Sequence, residues 1–195
     1  MSYTDLKDKV ARYAHRTDLT PEMDDFTLHV EAIINKELRV MEQEVITETV
    51  FTAALTELPT DFIETRDLYF ESNGSRISVE QLTPKQLNRY TSGSSGRPCF
   101  YAIHGGQIEL RPDPDSETGT WSYYGKVPTL TANSTNDILD NYPLLYLAGM
   151  MTNVYAFLQD DGEQAKWSAI FSEQIATANK SAGTGRYTRP QVRTS

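Results

Sequence analysis

Hydrophobic positions in this chain follow a helical period at both ends and a two-residue period in the middle. From Thr4 to His15, Leu6, Val10 and Tyr13 fall on one face of a 3.6-residue repeat, which predicts a short helix. A stronger start follows: Thr20 can cap, Pro21 suits the first helical position, and Glu22, Asp24 and Asp25 complement the positive end of a helix dipole. Phe26, Val30, Ile33, Ile34, Leu38, Met41 and Val45 then form one stripe with no Gly or Pro interrupting it. The pattern predicts a single helix from Glu22 to Thr47, about 37 Å long at 1.5 Å per residue.

The middle reads as strands. Val50–Leu55 and Ile63–Glu71 flank the turn Leu58-Pro59-Thr60-Asp61, and Ile77 and Val79 alternate with polar residues. Thr83-Pro84 opens a short helix ending near Tyr90, and the Gly- and Ser-rich stretch from Thr91 to Pro98 is a loop. Phe100–Ile103 and Gln107–Leu110 surround a tight turn at His104-Gly105-Gly106, and an acidic turn from Pro112 to Gly119 leads into Thr120–Tyr124. Helical spacing returns after Ser134 and Thr135. Pro143 opens a helix to about Gln159, and Trp167, Ile170, Phe171, Gln174, Ile175 and Ala178 carry another to about Lys180. These elements predict an α+β fold: a helical bundle with long amphipathic helices, a small central antiparallel β-region and an extended C-terminal arm. The domain spans 1–180, helical over 1–47 and 134–180 and strand-rich over 48–130, and 181–195 form a flexible basic arm.

Composition narrows the classes. In 195 residues, 38% apolar and 23% charged side chains supply a real core. The 18 Lys and Arg against 27 Asp and Glu give a net charge of −9, which excludes a protein that wraps nucleic acid over its whole surface. The charge is uneven. From Gln174 onward stand Lys180, Arg186, Arg189 and Arg193 and no acid, so of the net −9 this tail supplies +4 and the remainder −13. The most apolar stretch, Pro143 to Leu158, contains Thr152 and Asn153 and falls short of the roughly 20 residues that span a bilayer, so it is read as a core helix. Met1 to Asp5 shows no secretory pattern, which points to synthesis in a cytoplasm.

Candidate chemistry is sparse. One cysteine, Cys99, excludes an internal disulfide and a cysteine zinc site; lying between Pro98 and an aromatic strand, it is read as a buried, inert thiol. His15, His29 and His104 have no metal-ligand spacing, and neither a nucleophile elbow nor a phosphate loop is present. Asp113, Asp115 and Glu117 alternate as in calcium loops but lack the rest of that motif. No catalytic residue, cofactor or metal is assigned. Tyrosine supplies 11 of the 20 aromatic side chains. Tyr90, Tyr101, Tyr123, Tyr124, Tyr142, Tyr146 and Tyr155 fit a subunit interface, or alternatively a stacking face for sugars or bases. The basic tail, with Tyr187 and Val192 as apolar anchors among its arginines, fits an arm that orders on a partner.

Four stretches, in order, resemble the head-to-tail adaptor (connector) proteins of tailed bacteriophages. They are Leu58-Pro59-Thr60-Asp61-Phe62, entering a strand; Gly96-Arg97-Pro98-Cys99-Phe100-Tyr101 with Gly106–Pro114 after it; Tyr123-Tyr124 with Pro128 and Leu130; and Asn136–Leu139 followed by Tyr142-Pro143-Leu144-Leu145. Leu144 stands where that family often has an acid. The likeness spans roughly Leu19 to Ile175. It implies a structural virion protein: a homo-oligomeric ring, commonly of twelve copies, docked under the portal in the neck between head and tail. Such a ring joins capsid to tail and forms part of a channel that DNA crosses without specific binding. It also implies a C-terminal segment that reaches the portal, which here would use Arg186, Tyr187, Arg189, Val192 and Arg193. Asp113, Asp115, Glu117, Asp160 and Asp161 are the candidate channel or rim residues. The alternative reading is a tyrosine-rich carbohydrate- or receptor-binding module of a phage tail.

Overall fold

A computed structural model of the protein describes residues 1–72, 74–90 and 93–187, the last five by backbone alone. The chain divides into two compact units. One joins Met1–Gln43 to Val127–Ser195, and the other is the intervening Glu44–Lys126.

The first unit is helical. In α1 (Tyr3–Tyr13), Ser2 Oγ accepts the Asp5 N–H at 3.1 Å while the Asp5 carboxylate accepts the Ser2 N–H at 3.0 Å, a reciprocal cap. Leu6 and Val10 face inward, as their spacing predicts. A 3-10 turn at Thr20–Glu22, with Pro21 inside it, leads into α2 (Met23–Glu37). The α4 helix (Asp137–Asn141) is capped by Asn136, whose Oδ1 accepts the Leu139 N–H at 2.8 Å. Pro143 opens α5 (Pro143–Phe157), and α6 follows over Asp161–Tyr187. The α5 helix contacts α1, α2, α4 and α6. Leu145, Tyr146, Ala148, Met150, Met151 and Val154 on it are fully buried, which explains the most apolar stretch of the sequence. Gly149 marks the closest approach: a Cβ there would come within 2.8 Å of Val30 on α2 and 3.0 Å of Phe171 on α6.

A polar clamp runs beside this core. Glu31, 4% exposed, accepts the Leu130 N–H at 2.8 Å. One turn later Asn35 Oδ1 accepts the Val127 N–H at 2.8 Å. Asn136 Nδ2 donates to the Pro128 carbonyl at 2.8 Å and to Tyr146 Oη at 2.9 Å. Burial, opposed by the Asn136 hydrogen bond and reinforced by the nearby Glu31 charge, pushes the Tyr146 phenol well above its ordinary range.

The second unit is a pair of four-stranded sheets. The first has the order β1 (Glu44–Phe51), β8 (Glu117–Gly125), β3 (Phe62–Ser72), β4 (Ser75–Ser78), every pair antiparallel. The second runs β2 (Leu55–Glu57), β7 (Gln107–Arg111), β6 (Phe100–His104), β5 (Glu80–Gln81), the last pair parallel. The short α3 (Pro84–Leu87) is capped by Thr83. Phe51, Leu68, Phe70, Trp121 and Tyr123 from the first sheet and Tyr101, Ile108 and Leu110 from the second form one core. Phe51 and Phe70 meet edge-on at 5.9 Å, and the Trp121 indole N–H donates to Thr65 Oγ1 at 3.2 Å.

This architecture overturns the expected long-helix bundle with a small β-region. The class is α+β, but strands dominate from Glu44 to Lys126. The single helix Glu22–Thr47 does not exist. After Glu37 the backbone turns extended at Leu38 (ψ 135°), passes a 3-10 turn at Met41–Gln43 and becomes β1. Two causes act. Val45, Ile46, Thr47, Thr49 and Val50 are β-branched, which disfavours helix and favours strand. The α2 end is also held from afar: Asn179 of α6 donates to the Glu37 carbonyl at 2.9 Å and accepts the Arg39 N–H at 2.8 Å, satisfying groups a continued helix would have paired internally. At the other end α6 continues past Lys180 to Tyr187.

The packing at Gly149 makes one substitution act with opposite signs at two glycines. Gly149→Ala should cost about 1–3 kcal/mol through overpacking. Gly162→Ala, in the first turn of α6 where the new methyl meets only Asp160 Oδ1 at 3.5 Å, should stabilise by up to about 1 kcal/mol. Urea midpoints of the two variants against the parent check both.

Candidate functional site

The acidic turn after β7 is a folded structural element. Arg111 pairs with Glu109 on one side and, through Nη1 at 3.1 Å, with Asp113 on the other. Asp113 Oδ2 accepts the Gly93 N–H at 3.1 Å, its own N–H donates to the Ser94 carbonyl at 2.8 Å, and its carbonyl accepts the Gly96 N–H at 3.0 Å. Arg97 donates to Glu117 at 3.1 Å, and His104 Nε2 lies 2.8 Å from Glu109. Two of the three acids proposed for a rim therefore hold the Gly93–Arg97 loop in place. Asp115 is exposed, next to Ser116 in a left-handed conformation (φ 56°).

The second acidic turn lies in the other unit. Asp160 Oδ1 accepts the Glu163 N–H at 3.1 Å and so starts α6, and Asp161 sits exposed in the first turn. Asp113, Asp115 and Glu117 thus share one turn, and Asp160 and Asp161 share another. Of the arm, Arg186 and Tyr187 close α6, while Arg189, Val192 and Arg193 lie outside the described residues.

Three side-chain expectations change. Cys99 is exposed rather than buried, because the ring of Pro98 takes the inward place before β6. Tyr101, Tyr123, Tyr124 and Tyr146 are buried within the chain itself, so they offer neither a stacking face nor a subunit interface; Tyr90 is the exposed member of the seven. Among the described residues no group of three His, Cys, Asp or Glu side chains could hold a metal ion, and no helix is long and apolar enough to cross a membrane.

The sequence reading missed the outer face of the first sheet. An open groove of about 550 Å³ crosses it, lined by Ile46 and Glu48 of β1, Thr118 and Thr120 of β8, Tyr69 and Glu71 of β3, and Arg76 of β4. Arg76 lies over the Tyr69 ring, 4.7 Å from its centroid, and 3.7 Å from Glu71. Ile46 is 68% and Val50 55% exposed. Their alternation with Glu48 is the strand signal that could have revealed this face, and it was absorbed into the helical stripe. In the first unit, Leu28, Met41 and Phe157 are similarly exposed. These surfaces contain contact residues and no reactive constellation.

The family model for the SU10 adaptor protein matches residues 1–194, so the chain belongs to that family of phage head-to-tail adaptors. No curated protein matches it. The family is structural rather than enzymatic, and membership implies a component of the virion neck that associates with head and tail proteins.

The hydrogen bonds of Asp113 predict a selective effect. Asp113→Ala should speed hydrogen exchange at the Gly93 and Gly96 amides, and Asp115→Ala should leave both unchanged. Asp160→Ala should cost about 1 kcal/mol as a lost helix cap, read from chemical denaturation.

Proposed function

We propose that this SU10-family adaptor forms a ring, of twelve copies by the resemblance described above, that docks beneath the portal, joins the capsid to the tail and surrounds part of the DNA channel. The carrying observation is the extent of the family match: residues 1–194 take in both units and the basic C-terminal segment. The exposed apolar side chains on each unit support it, since scattered Leu, Ile, Val and Phe of this size are what a subunit presents to neighbours.

In this reading the C-terminal segment is the portal-binding arm. Arg186, Arg189 and Arg193 would pair with carboxylates of the portal, and Tyr187 and Val192 would supply apolar anchorage. Because α6 reaches Tyr187, the arm departs from a helix end. The net charge of −13 outside the tail, repeated around an axis, would repel passing phosphates and keep DNA from adhering. Asp115 and Asp161 remain the better rim candidates, since Asp113, Glu117 and Asp160 already serve local structure. The carbohydrate- or receptor-binding alternative needs an exposed aromatic platform, and four of its seven tyrosines are core residues.

Electron microscopy of the protein mixed with portal rings tests the proposal. A ring seated under the portal is the expected result; a protein that stays monomeric with portal present overturns it. Truncation after Tyr187, which leaves α6 whole, should preserve the circular dichroism spectrum and weaken portal binding roughly tenfold, as for two or three lost charge-assisted contacts. Equal binding by the truncated protein removes the arm from the proposal.

A further inference from the structure

The first sheet ends on two unlike strands. β1 is eight residues long, its register with β8 is unbroken from Glu44↔Tyr124 to Phe51↔Glu117, and no strand pairs with its other side. Edge strands are ordinarily blunted by shortness, proline, lysine or a bulge. β1 has none of these, whereas the other three sheet edges, β4, β2 and β5, are four, three and two residues long. β1 also presents Ile46 and Val50 to solvent on the face that carries Glu48. Such an edge invites another strand.

We propose that the β1 edge of one copy pairs with the β4 edge of the next, so that the first sheet continues from subunit to subunit. This names the contact surface of the ring proposed above and rests on that reading. Strand direction permits it. Every pair in the order β1-β8-β3-β4 is antiparallel, so β4 runs opposite to β1, and a neighbour in the same orientation continues the alternation.

The charges match. The registers place Ile46, Glu48 and Val50 on the same face as Thr118 and Thr120, and that face continues through Tyr69 and Glu71 to Ser78 and Arg76. Glu48 and Arg76 are three strand spacings apart in one copy, about 14 Å, too far to pair. In the antiparallel register that sets Arg76 opposite Glu48 of the neighbouring copy, Ser78 faces Ile46. On the reverse face Ile77 meets Thr47. Arg76 is held only by exposed contacts to Glu71 and the Tyr69 ring, so it is available to turn outward.

The same geometry disfavours the simplest competitor. Two β1 strands paired antiparallel about a twofold axis, with Ile46 against Val50 and like faces aligned, set Glu48 directly opposite Glu48. Like charges so placed destabilise the pair. The β1–β4 contact instead uses two different patches of the chain, the head-to-tail arrangement from which a ring can close.

The test uses the full-length chain, alone and with portal rings, with assembly followed by mass photometry. Glu48→Arg and Arg76→Glu alter exposed side chains. Each should raise the concentration needed for assembly roughly tenfold or more, and the double variant should regain wild-type assembly. Wild-type assembly by both single variants, or a double variant no better than either, overturns the edge pairing and leaves the ring intact. A wild-type protein that is monomeric alone and with portal overturns the ring and the edge pairing together. Circular dichroism of each variant separates lost assembly from lost fold, and Ile46→Lys, which places a lysine on the same edge, gives a second variant expected to block assembly.

Discussion

The fold depends on a clamp made by one helix face. Glu31 and Asn35, one turn apart on α2, take the backbone N–H groups of Leu130 and Val127. Between α2 and that point the chain leaves the helical unit, builds two sheets over Glu44–Lys126, and returns. The return is polar backbone entering a buried place, and unpaired N–H groups there would cost about 1–3 kcal/mol each. A carboxylate at 4% exposure is itself expensive unless hydrogen-bonded. Each group answers the other's need. Asn136 extends the arrangement by binding the Pro128 carbonyl and the Tyr146 hydroxyl while capping α4. The position of the last three helices is thereby tied to α2 by directional contacts, and the apolar packing of α5 fills in around them.

What the sequence made legible follows from the range of each interaction. The caps at Ser2, Thr83 and Asn136 act over three residues, and their signals are local; all three helices start there. The prolines at 84 and 143 open helices for the same reason. The end of α2 is set by Asn179, 140 positions away, and no local pattern carries that information. The stripe through Leu38, Met41 and Val45 fits a 3.6-residue period by coincidence: Leu38 is buried in the helical core, Met41 is exposed, and Val45 packs in the sheet core. The β-branched run from Val45 to Val50 was the competing signal. The site divides similarly. An acidic turn at 112–119 is readable from composition, but its neutralisation by Arg97 and Arg111 depends on how the loop folds back onto β7 and β8.

The two units solve different problems with the same chain. In the helical unit nearly every large side chain of α5 is spent on one core, and the polar surface lies on the outward faces of α2 and α6. In the sheet unit a single core lies between one face of each sheet, so the opposite faces and the edges remain for contact. A subunit of a permanent assembly can retain an eight-residue edge that a free monomer would have to protect. The exposed Ile46 and Val50 are an aggregation hazard outside an assembly and useful contact area inside one.

The electrostatics survive the reassignment of the acidic turn. Ion pairs such as Arg111 with Asp113 and Arg97 with Glu117 remove one charge of each sign and leave the net charge unchanged. Of the 18 cations in the chain, four lie in the tail from Gln174 onward, so fourteen face all 27 acids elsewhere. However they pair, thirteen acids stay uncompensated. The pairs already formed concentrate cations around the Gly93–Arg97 loop, which shifts the uncompensated acids to other surfaces. Glu48 and Asp115 in the sheet unit and Asp161 in the helical unit are exposed members of that set. A ring would superpose this excess on one axis while the cationic tails can reach a partner beyond it. The separation of charge along the chain, rather than any single acidic turn, is therefore what would let one subunit repel the genome and bind an acidic neighbour.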